Sequence, residues 1–253
     1  GAAELARAGE TALCDPRGVL FFRQASLLVV SDLHLEKGSS FARRRIFLPP
    51  YDTPATLARL AALVAKYEPA IIVSLGDSFH DDEASERLSA DTANAIEALA
   101  CGRTMIWVTG NHDPSPPANM PGDSVDSLAA GAITFRHIAQ AGYSGEVSGH
   151  YHPKVTLPVR GRAITRPAFL LDTDRLVMPA YGTYTGGLRS HDAALCDLMR
   201  PEALAILTGK TPHPAPMPRG LDLGQPAVVL GELGRVLLLQ VIGDRHVHED
   251  DGR

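Results

Sequence analysis

The chain predicts an α/β protein in which a sheet with parallel strands is followed by a mainly antiparallel one, all in a single domain. Three observations carry this reading. Three apolar runs each end abruptly in polar residues, with helical segments between them. From about residue 132 the pattern changes to short strands punctuated by Gly and Pro. No repeat, low-complexity block or linker divides the 253 residues, a length that suits one large core.

The elements follow in order. GVLFF (18–22) and SLLVV (26–30) read as two strands joined by a short polar turn. In YDTPATLARLAALVAKYEP, residues Leu57, Leu60, Ala61, Val64 and Tyr67 share one helical face, with Asp52 or Thr53 as the expected cap and Pro54 in the first turn. AIIVSLGD is a buried strand ending in Gly76 and Asp77. DDEASERLSADTANAIEALA is a second helix whose early acids suit the helix dipole, and TMIWVTGNHD is a third strand. Beyond it, AITFRH, GEVSGHYHP, KVTLPV, RPAFLLD and RLVMPAYG read as short strands, with Asp172-Thr173-Asp174 as a hairpin turn. HDAALCDLMRPEALAILTG is expected to be partly helical, 209–226 a Pro/Gly-rich loop, RVLLLQVI a last strand, and 244–253 a mobile polar tail.

Composition excludes several classes. The formal net charge of -5 does not suggest a strongly basic nucleic-acid domain, although a local basic patch is compatible with it. Three distant cysteines without a CxxC argue against a disulfide scaffold or a cysteine zinc site, and suit a reducing cytoplasm. The first residues lack a basic segment followed by an apolar one, so no signal peptide is expected, and no apolar run approaches the roughly 20 residues of a membrane helix.

Five short groups carry the chemistry: Asp32-x-His34, Gly76-Asp77, Gly110-Asn111-His112-Asp113, His137 and Gly149-His150-x-His152. In an open α/β sheet, sites form beyond the carboxyl ends of the strands, where these groups fall. A two-metal hydrolytic site needs one ligand that reaches both ions, and a carboxylate with two oxygens can do so; Asp77 is the candidate. Residues two apart on a strand share a face, so Asp32 and His34 are expected to serve one ion together, while His150 and His152 reach different ions. Two divalent ions, two carboxylates, a bridging hydroxide and neutral imidazoles leave about one positive charge, which suits a phosphate ester. His112 is the candidate proton donor to the leaving oxygen, with Asp113 fixing its tautomer through a hydrogen bond. Arg43, Arg44 and Arg45 follow the first motif closely and read either as a solvated loop or as phosphate contacts; His80 lines the site or simply begins a helix. The HVH at 246–248 has ligand spacing but no strand-end context.

These groups, with SDLHLEKGSSFARRR, SLGDSFHD, VTGNHD, GHYHP and PAYGTYTGG, resemble the calcineurin-like metallophosphoesterase superfamily, and within it the bacterial DNA-ligase-associated (PdeM) branch, over about residues 19–219. The resemblance implies a four-layer α/β/β/α sandwich with two mixed sheets. It also implies a two-metal phosphodiesterase or nuclease, often manganese-dependent, associated with a DNA ligase and a helicase in DNA repair. By the same resemblance Asp32, His34, Asp77 and His152 hold one ion, Asp77, Asn111, His137 and His150 hold the other, and His112 is catalytic. Arg45 stands where the family more often carries glycine, and YGTYTGG is expected to shape a loop near the metals. Two alternatives stay open beside the nuclease: a hydrolase of small phosphoesters (cyclic nucleotides, nucleotide pyrophosphates or monoesters) and a scaffold that binds nucleic acid or a repair partner without catalysis.

Overall fold

A computed structural model of the chain describes residues 3–7, 10–49, 51–81, 83–113, 120–159 and 162–220. The expected strand RVLLLQVI, the polar tail and HVH lie outside the described residues. Its elements are β1 (Ala3–Arg7), β2 (Glu10–Asp15), β3 (Val19–Phe22), β4 (Leu27–Val30), α1 (Lys37–Arg43), α2 (Asp52–Tyr67), β5 (Ile71–Leu75), α3 (Ala90–Ala100), β6 (Thr104–Val108) and β7 (Asp123–Val125). There follow β8 (Ser127–Ala130), β9 (Ile133–Arg136), β10 (Glu146–Ser148), β11 (Lys154–Val159), β12 (Arg162–Leu171), β13 (Arg175–Val177), α4 (Ala193–Leu198), β14 (Leu204–Leu207) and β15 (His213–Pro216).

The strands form two mixed sheets. The first runs β1 to β7 in order; β1 to β4 pair antiparallel, and β4, β5, β6 and β7 pair parallel. The second has the order β15-β14-β12-β13-β10-β9-β8, with β11 paired to β12. It is not purely antiparallel: β10 pairs parallel with both β9 and β13. These two parallel pairs, inside a sheet that is otherwise antiparallel as expected, matter because they point the ends of β9 and β10 the same way.

Alternation along each strand builds the layers. Leu27 and Val29 face the second sheet and meet Phe135, Val147 and Phe169 in one cluster. Leu28 and Val30 face the other way, toward Leu60, Leu63, Ile96 and Leu99 of α2 and α3. In the second sheet Phe169 and Leu171 look inward, while Ala168 and Leu170 pack outward against Leu195 of α4. The result is the four-layer α/β/β/α sandwich. Each inward Leu contributes about 1.5–3 kcal/mol by leaving water, so strands buried on both faces are nearly continuous apolar runs.

Several local expectations need correction. Asp52 and Thr53 do not cap α2; Tyr51 holds that position. Instead Asp52 Oδ2 accepts the Gly38 amide at 2.8 Å and Thr53 Oγ1 accepts the Glu36 amide at 2.7 Å. The two polar groups tie α2 to the first turn of α1 and to the residue before it, where buried amides need partners. Ala61 is exposed and Leu63 takes the inward place, since the buried stripe runs 56, 57, 60, 63 and 64. The acidic second helix is split: Ala84–Arg87 is a 3-10 turn, Leu88 is extended, and Ser89 starts α3 by accepting the Thr92 amide at 3.1 Å. Within the expected 209–226 loop, His213–Pro216 adds an edge strand to β14. The Asp172 turn stands, its Oδ1 accepting the amides of Asp174 and Arg175 at 2.8 and 2.9 Å.

Two buried carboxylates are tied down by cations. Asp15, 1% exposed at its side chain, accepts from Arg17 (2.9 and 3.0 Å), Lys66 (2.7 Å) and the Tyr67 hydroxyl (2.7 Å). Glu146 accepts from Arg175 at 2.6 Å and from the Gln140 amide at 3.2 Å, with Arg136 Nε at 3.4 Å. Among the described residues no helix is long and apolar enough to cross a membrane.

Candidate metal centre

Five loops meet where the parallel strands of both sheets end. Three follow β4, β5 and β6; two follow β9 and β10. The loops after β4 and β5 run side by side: Asp32 N donates to Gly76 O (3.2 Å), His34 N to Asp77 O (2.9 Å) and Leu35 N to Ser78 O (2.9 Å). Within the second sheet's pair of loops Gly149 N donates to His137 O at 2.9 Å, and across the sheets His150 N reaches the Asp32 carboxylate at 3.1–3.2 Å. The YGTYTGG segment braces the assembly, with Tyr181 N on Ser31 O (2.8 Å) and Gly182 N on Asp32 O (3.0 Å).

Asp32 and His34 do converge, but not by strand alternation. β4 stops at Val30, and Asp32 (φ 53°), His34 (φ 44°) and Glu36 (φ 64°) lie in the left-handed region. So do Asp77 (φ 46°), His150 (φ 70°) and His152 (φ 46°). Non-glycine residues held there cost of order 1–3 kcal/mol each, and such strain gathers at functional sites. Close approach adds a second constraint. A Cβ at Gly76 would collide with the His137 ring, and one at Gly110 with the Asp77 backbone.

Two groups of side chains result, each with its ligand atoms within 4.8 Å of one another: Asp32, His34 and His152, and Asp77, His137 and His150. Asp77 faces both groups. Its Oδ2 lies 3.9 Å from His34 Nε2, and its Oδ1 lies 3.4 Å from His137 Nε2 and accepts the His112 amide at 2.9 Å. In the first group His34 Nε2 stands 3.3 Å from His152 Nε2, which is 3.1 Å from Asp32 Oδ1. In the second His137 Nε2 lies 3.2 Å from His150 Nδ1 and 3.0 Å from Asn111 Oδ1. Ring nitrogens and carboxylate oxygens thus converge with no Arg or Lys on either carboxylate among the described residues. That donor set fits divalent cations.

Burial and charge tune these groups. Burial pushes the His34 imidazole down to about 3, against the pull of Asp32, with help from His152, so the ring is neutral at pH 7. Burial and the neighbouring His137 also lower His150. Burial works against the Asp77 carboxylate, but the His137 hydrogen bond and charge and the His112 amide outweigh it and hold it well below the usual range. Burial pushes the Asp113 carboxyl up to about 7, opposed by the Phe79 and Ser78 amides.

Asp113 does not fix the His112 tautomer as expected. Its Oδ2 accepts the amides of Ser78 (2.8 Å) and Phe79 (3.0 Å), and its Oδ1 has no hydrogen-bond partner. It braces the Asp77 loop by pairing two buried amides that need an acceptor. His112 is 46% exposed, with Nε2 4.0 Å from Asp77 Oδ2. His80 stacks on His112 with centroids 5.6 Å apart at 15°, and meets His34 edge-on at 5.7 Å, so it lines the site rather than starting a helix.

The arginine run divides. Arg43 is an ion-pair partner of Glu83, both side chains being exposed. Arg44 and Arg45 are exposed, and Arg45 (φ 59°) occupies the left-handed conformation that glycine adopts freely. The sequence reading misses Lys37, whose charge, together with burial first and with His112 and Arg44, lowers His80 to about 4. Its only signal is its place directly after the first motif. Ser31, which donates to Asp32 Oδ2, is missed as well.

The comparisons agree with this geometry. The calcineurin-like phosphoesterase family model matches residues 25–209. The chain is similar to the crystal structure of Pseudomonas putida nuclease MPE, with 25% identity, a TM-score of 0.65, and coverage of 82% of this chain and 96% of that one. No curated protein matches it significantly. With most of its length inside that family model and two candidate metal groups at its strand ends, the chain belongs to the calcineurin-like phosphoesterase family and is a metal-dependent hydrolase.

Proposed function

We propose that the chain is a two-metal phosphodiesterase acting on nucleic acid, with DNA in a repair setting as its substrate. The observation that carries this is Asp77, whose two oxygens face the two ligand groups at 3.9 and 3.4 Å. In this reading Asp32, His34, Asp77 and His152 hold one ion, and Asp77, Asn111, His137 and His150 hold the other. Imidazole and carboxylate donors without thiolate suit manganese, with iron, zinc or magnesium as the other choices. When bound, such ions supply Lewis acidity toward the phosphoryl oxygens and a water made nucleophilic near neutral pH. His112, exposed at the mouth, hands a proton to the leaving oxygen. Asp113 acts only by holding the Asp77 loop, and His80 by holding the His112 ring.

Exposed rings on the loops support a polymer over a small ester. The six exposed large hydrophobic side chains among the described residues are all on loops: Ile46, Phe47 and Tyr51 after α1, Ile138 and Tyr143 after His137, and Tyr184 in the YGTYTGG segment. Phe47 is 96% exposed beside Arg44 and Arg45. Rings and cations together suit unpaired bases and their phosphates, each stacked base contributing about 1–3 kcal/mol. The motif resemblance supports a DNA ligase and a helicase as partners, the nuclease MPE similarity supports cleavage of a polynucleotide, and the cysteine pattern supports a cytoplasmic setting. A hydrolase of small phosphoesters is the second reading, favoured by the net charge of -5.

The test is metal analysis of the purified protein together with a panel of single-stranded oligonucleotide, cyclic nucleotide and a generic diester, each with manganese. Two ions per chain and the highest kcat/KM on the oligonucleotide are expected. Phe47→Ala should lower the ratio of oligonucleotide to generic-diester kcat/KM by roughly 5-fold or more, as loss of one stacked base would. A preference for cyclic nucleotides, with that ratio unmoved, would sink the nuclease reading.

A further inference from the structure

Beside the Asn111–His137 end of the metal centre lies a cavity of about 350 Å³, lined by Thr109, Asn111, Asp126, Arg136, Ile138 and Gln140 among others. Its size falls at the lower end of the roughly 300–1,000 Å³ range of small-ligand pockets. It shares two walls with the candidate metal centre, so whatever fills it is continuous with the reacting phosphate.

The lining is chemically mixed in a particular way. Arg136 is nine-tenths buried, at 9% exposure. Its Nε makes no hydrogen bond, and its approach to Glu146 is long, at 3.4 Å. Glu146 already accepts from Arg175 at 2.6 Å, so one carboxylate stands against two guanidinium groups. Arg136 is the less closely paired of the two, held flat by the Tyr143 ring with its Cζ 4.4 Å from the ring centroid. A buried guanidinium without a full partner is a strong anion site. Ile138, 43% exposed, offers an apolar wall, and Asp126, which accepts from the Thr109 hydroxyl at 3.2 Å, offers an acceptor for base or sugar donors.

We propose that this cavity is a subsite for the nucleotide flanking the scissile phosphate, with Arg136 holding the next phosphate along the strand. This rests on the nucleic-acid reading above and deepens it: the smallest well-bound substrate carries two neighbouring phosphates rather than one. The sugar and base lie between Ile138 and Asp126, and the second phosphate meets Arg136.

The test reads binding without turnover. Affinities of a fluorescent deoxytrinucleotide with two internal phosphates and a dinucleotide with one are compared by anisotropy in EDTA, for the full chain and for Arg136→Met, which keeps the side chain's length. The preference for the trinucleotide should fall roughly tenfold, as loss of one charge-assisted contact would, and the salt dependence of its binding should weaken by about 0.7 in log–log slope. An unchanged preference, or equal loss on both ligands, overturns the subsite; the second outcome would mean that Arg136 only supports the fold through Glu146. Arg136→Lys, which keeps the charge opposite Glu146, should restore part of the preference. Hydrolysis of a generic diester with manganese is scored separately, so a failed phosphodiesterase reading would be seen in that arm while the binding arm still decides the subsite.

Discussion

Asp15 and Glu146, and Asp32 and Asp77, are all carboxylates withdrawn almost completely from water, yet they are surrounded by different chemistry. Asp15 carries Arg17, Lys66 and Tyr67 on its two oxygens, and Glu146 carries Arg175 with Arg136 nearby. Asp32 and Asp77 have only imidazole nitrogens, backbone amides and the Ser31 hydroxyl among the described residues. A buried charge must be compensated, so the first pair brings its own cations and the second leaves that role to an ion. The backbone tells the same story. The structural carboxylates lie in or at the end of regular strands, whereas Asp32 and Asp77 sit in left-handed conformations that local preference resists. A carboxylate that is buried, strained and without Arg or Lys marks function; one with a full set of cations marks stability.

The comparison can be broken most severely at Asp77. Asp77→Asn should reduce kcat/KM by more than about 100-fold, since even groups one step removed from a metal cost 10- to 100-fold when lost. Metal content by mass spectrometry should fall with it, while the circular dichroism of the variant stays that of the parent. An Asp77→Asn protein that stayed active and metal-replete would contradict the division. Glu146→Gln should do the reverse, costing about 3–5 kcal/mol in denaturant titration by leaving Arg175 buried without its counter-ion, with kcat per folded molecule little changed.

Acid sharpens the same contrast. Burial alone would raise the Asp15 carboxyl, but its bonds to Arg17, Lys66 and Tyr67 hold it well below the usual range. Its folded value therefore lies below the unfolded value of about 3.9, so its stabilisation is complete above that pH and is lost as pH falls below it. Melting temperatures between pH 6 and pH 2.5 should drop steeply below about pH 4 in the parent and less steeply in Asp15→Asn. Parallel curves would remove Asp15 from the account. The smallest expected effect is at Arg45, whose left-handed backbone asks for glycine. Arg45→Gly should be neutral or stabilising by up to about 1 kcal/mol in urea titration; a clear loss of stability would show that the side chain is held by something else.

Much of the candidate site is legible from sequence because each motif is local. Asp32-x-His34, Gly76-Asp77, Asn111-His112 and His150-x-His152 each sit a few residues beyond an apolar run, and strand ends in an α/β sheet are where sites form. Strand alternation is nevertheless the wrong reason for the Asp32–His34 pairing, because the strand stops two residues earlier and alternating left-handed residues bring the side chains together. The role expected of Asp113 fails for a similar reason: the two amides that claim it belong to Ser78 and Phe79, thirty-odd residues back. Three arginines in a row look alike in sequence, and only Glu83, forty residues on, separates Arg43 from its neighbours.

What the sequence determined by itself was the alternation that builds two-faced strands, the order of the polar strand ends and the residue types offered at each. These depend on spacing within a few residues, which the chain alone specifies. What only the tertiary structure decided was the parallel pairing of β9 with β10, which sets His137 beside His150, and the meeting of those two loops with the three from the first sheet. It also decided that Arg136, beside Glu146, lines a cavity next to Asn111. Pairing and packing join residues far apart in the chain, and their energies come from burial and register that no local pattern contains.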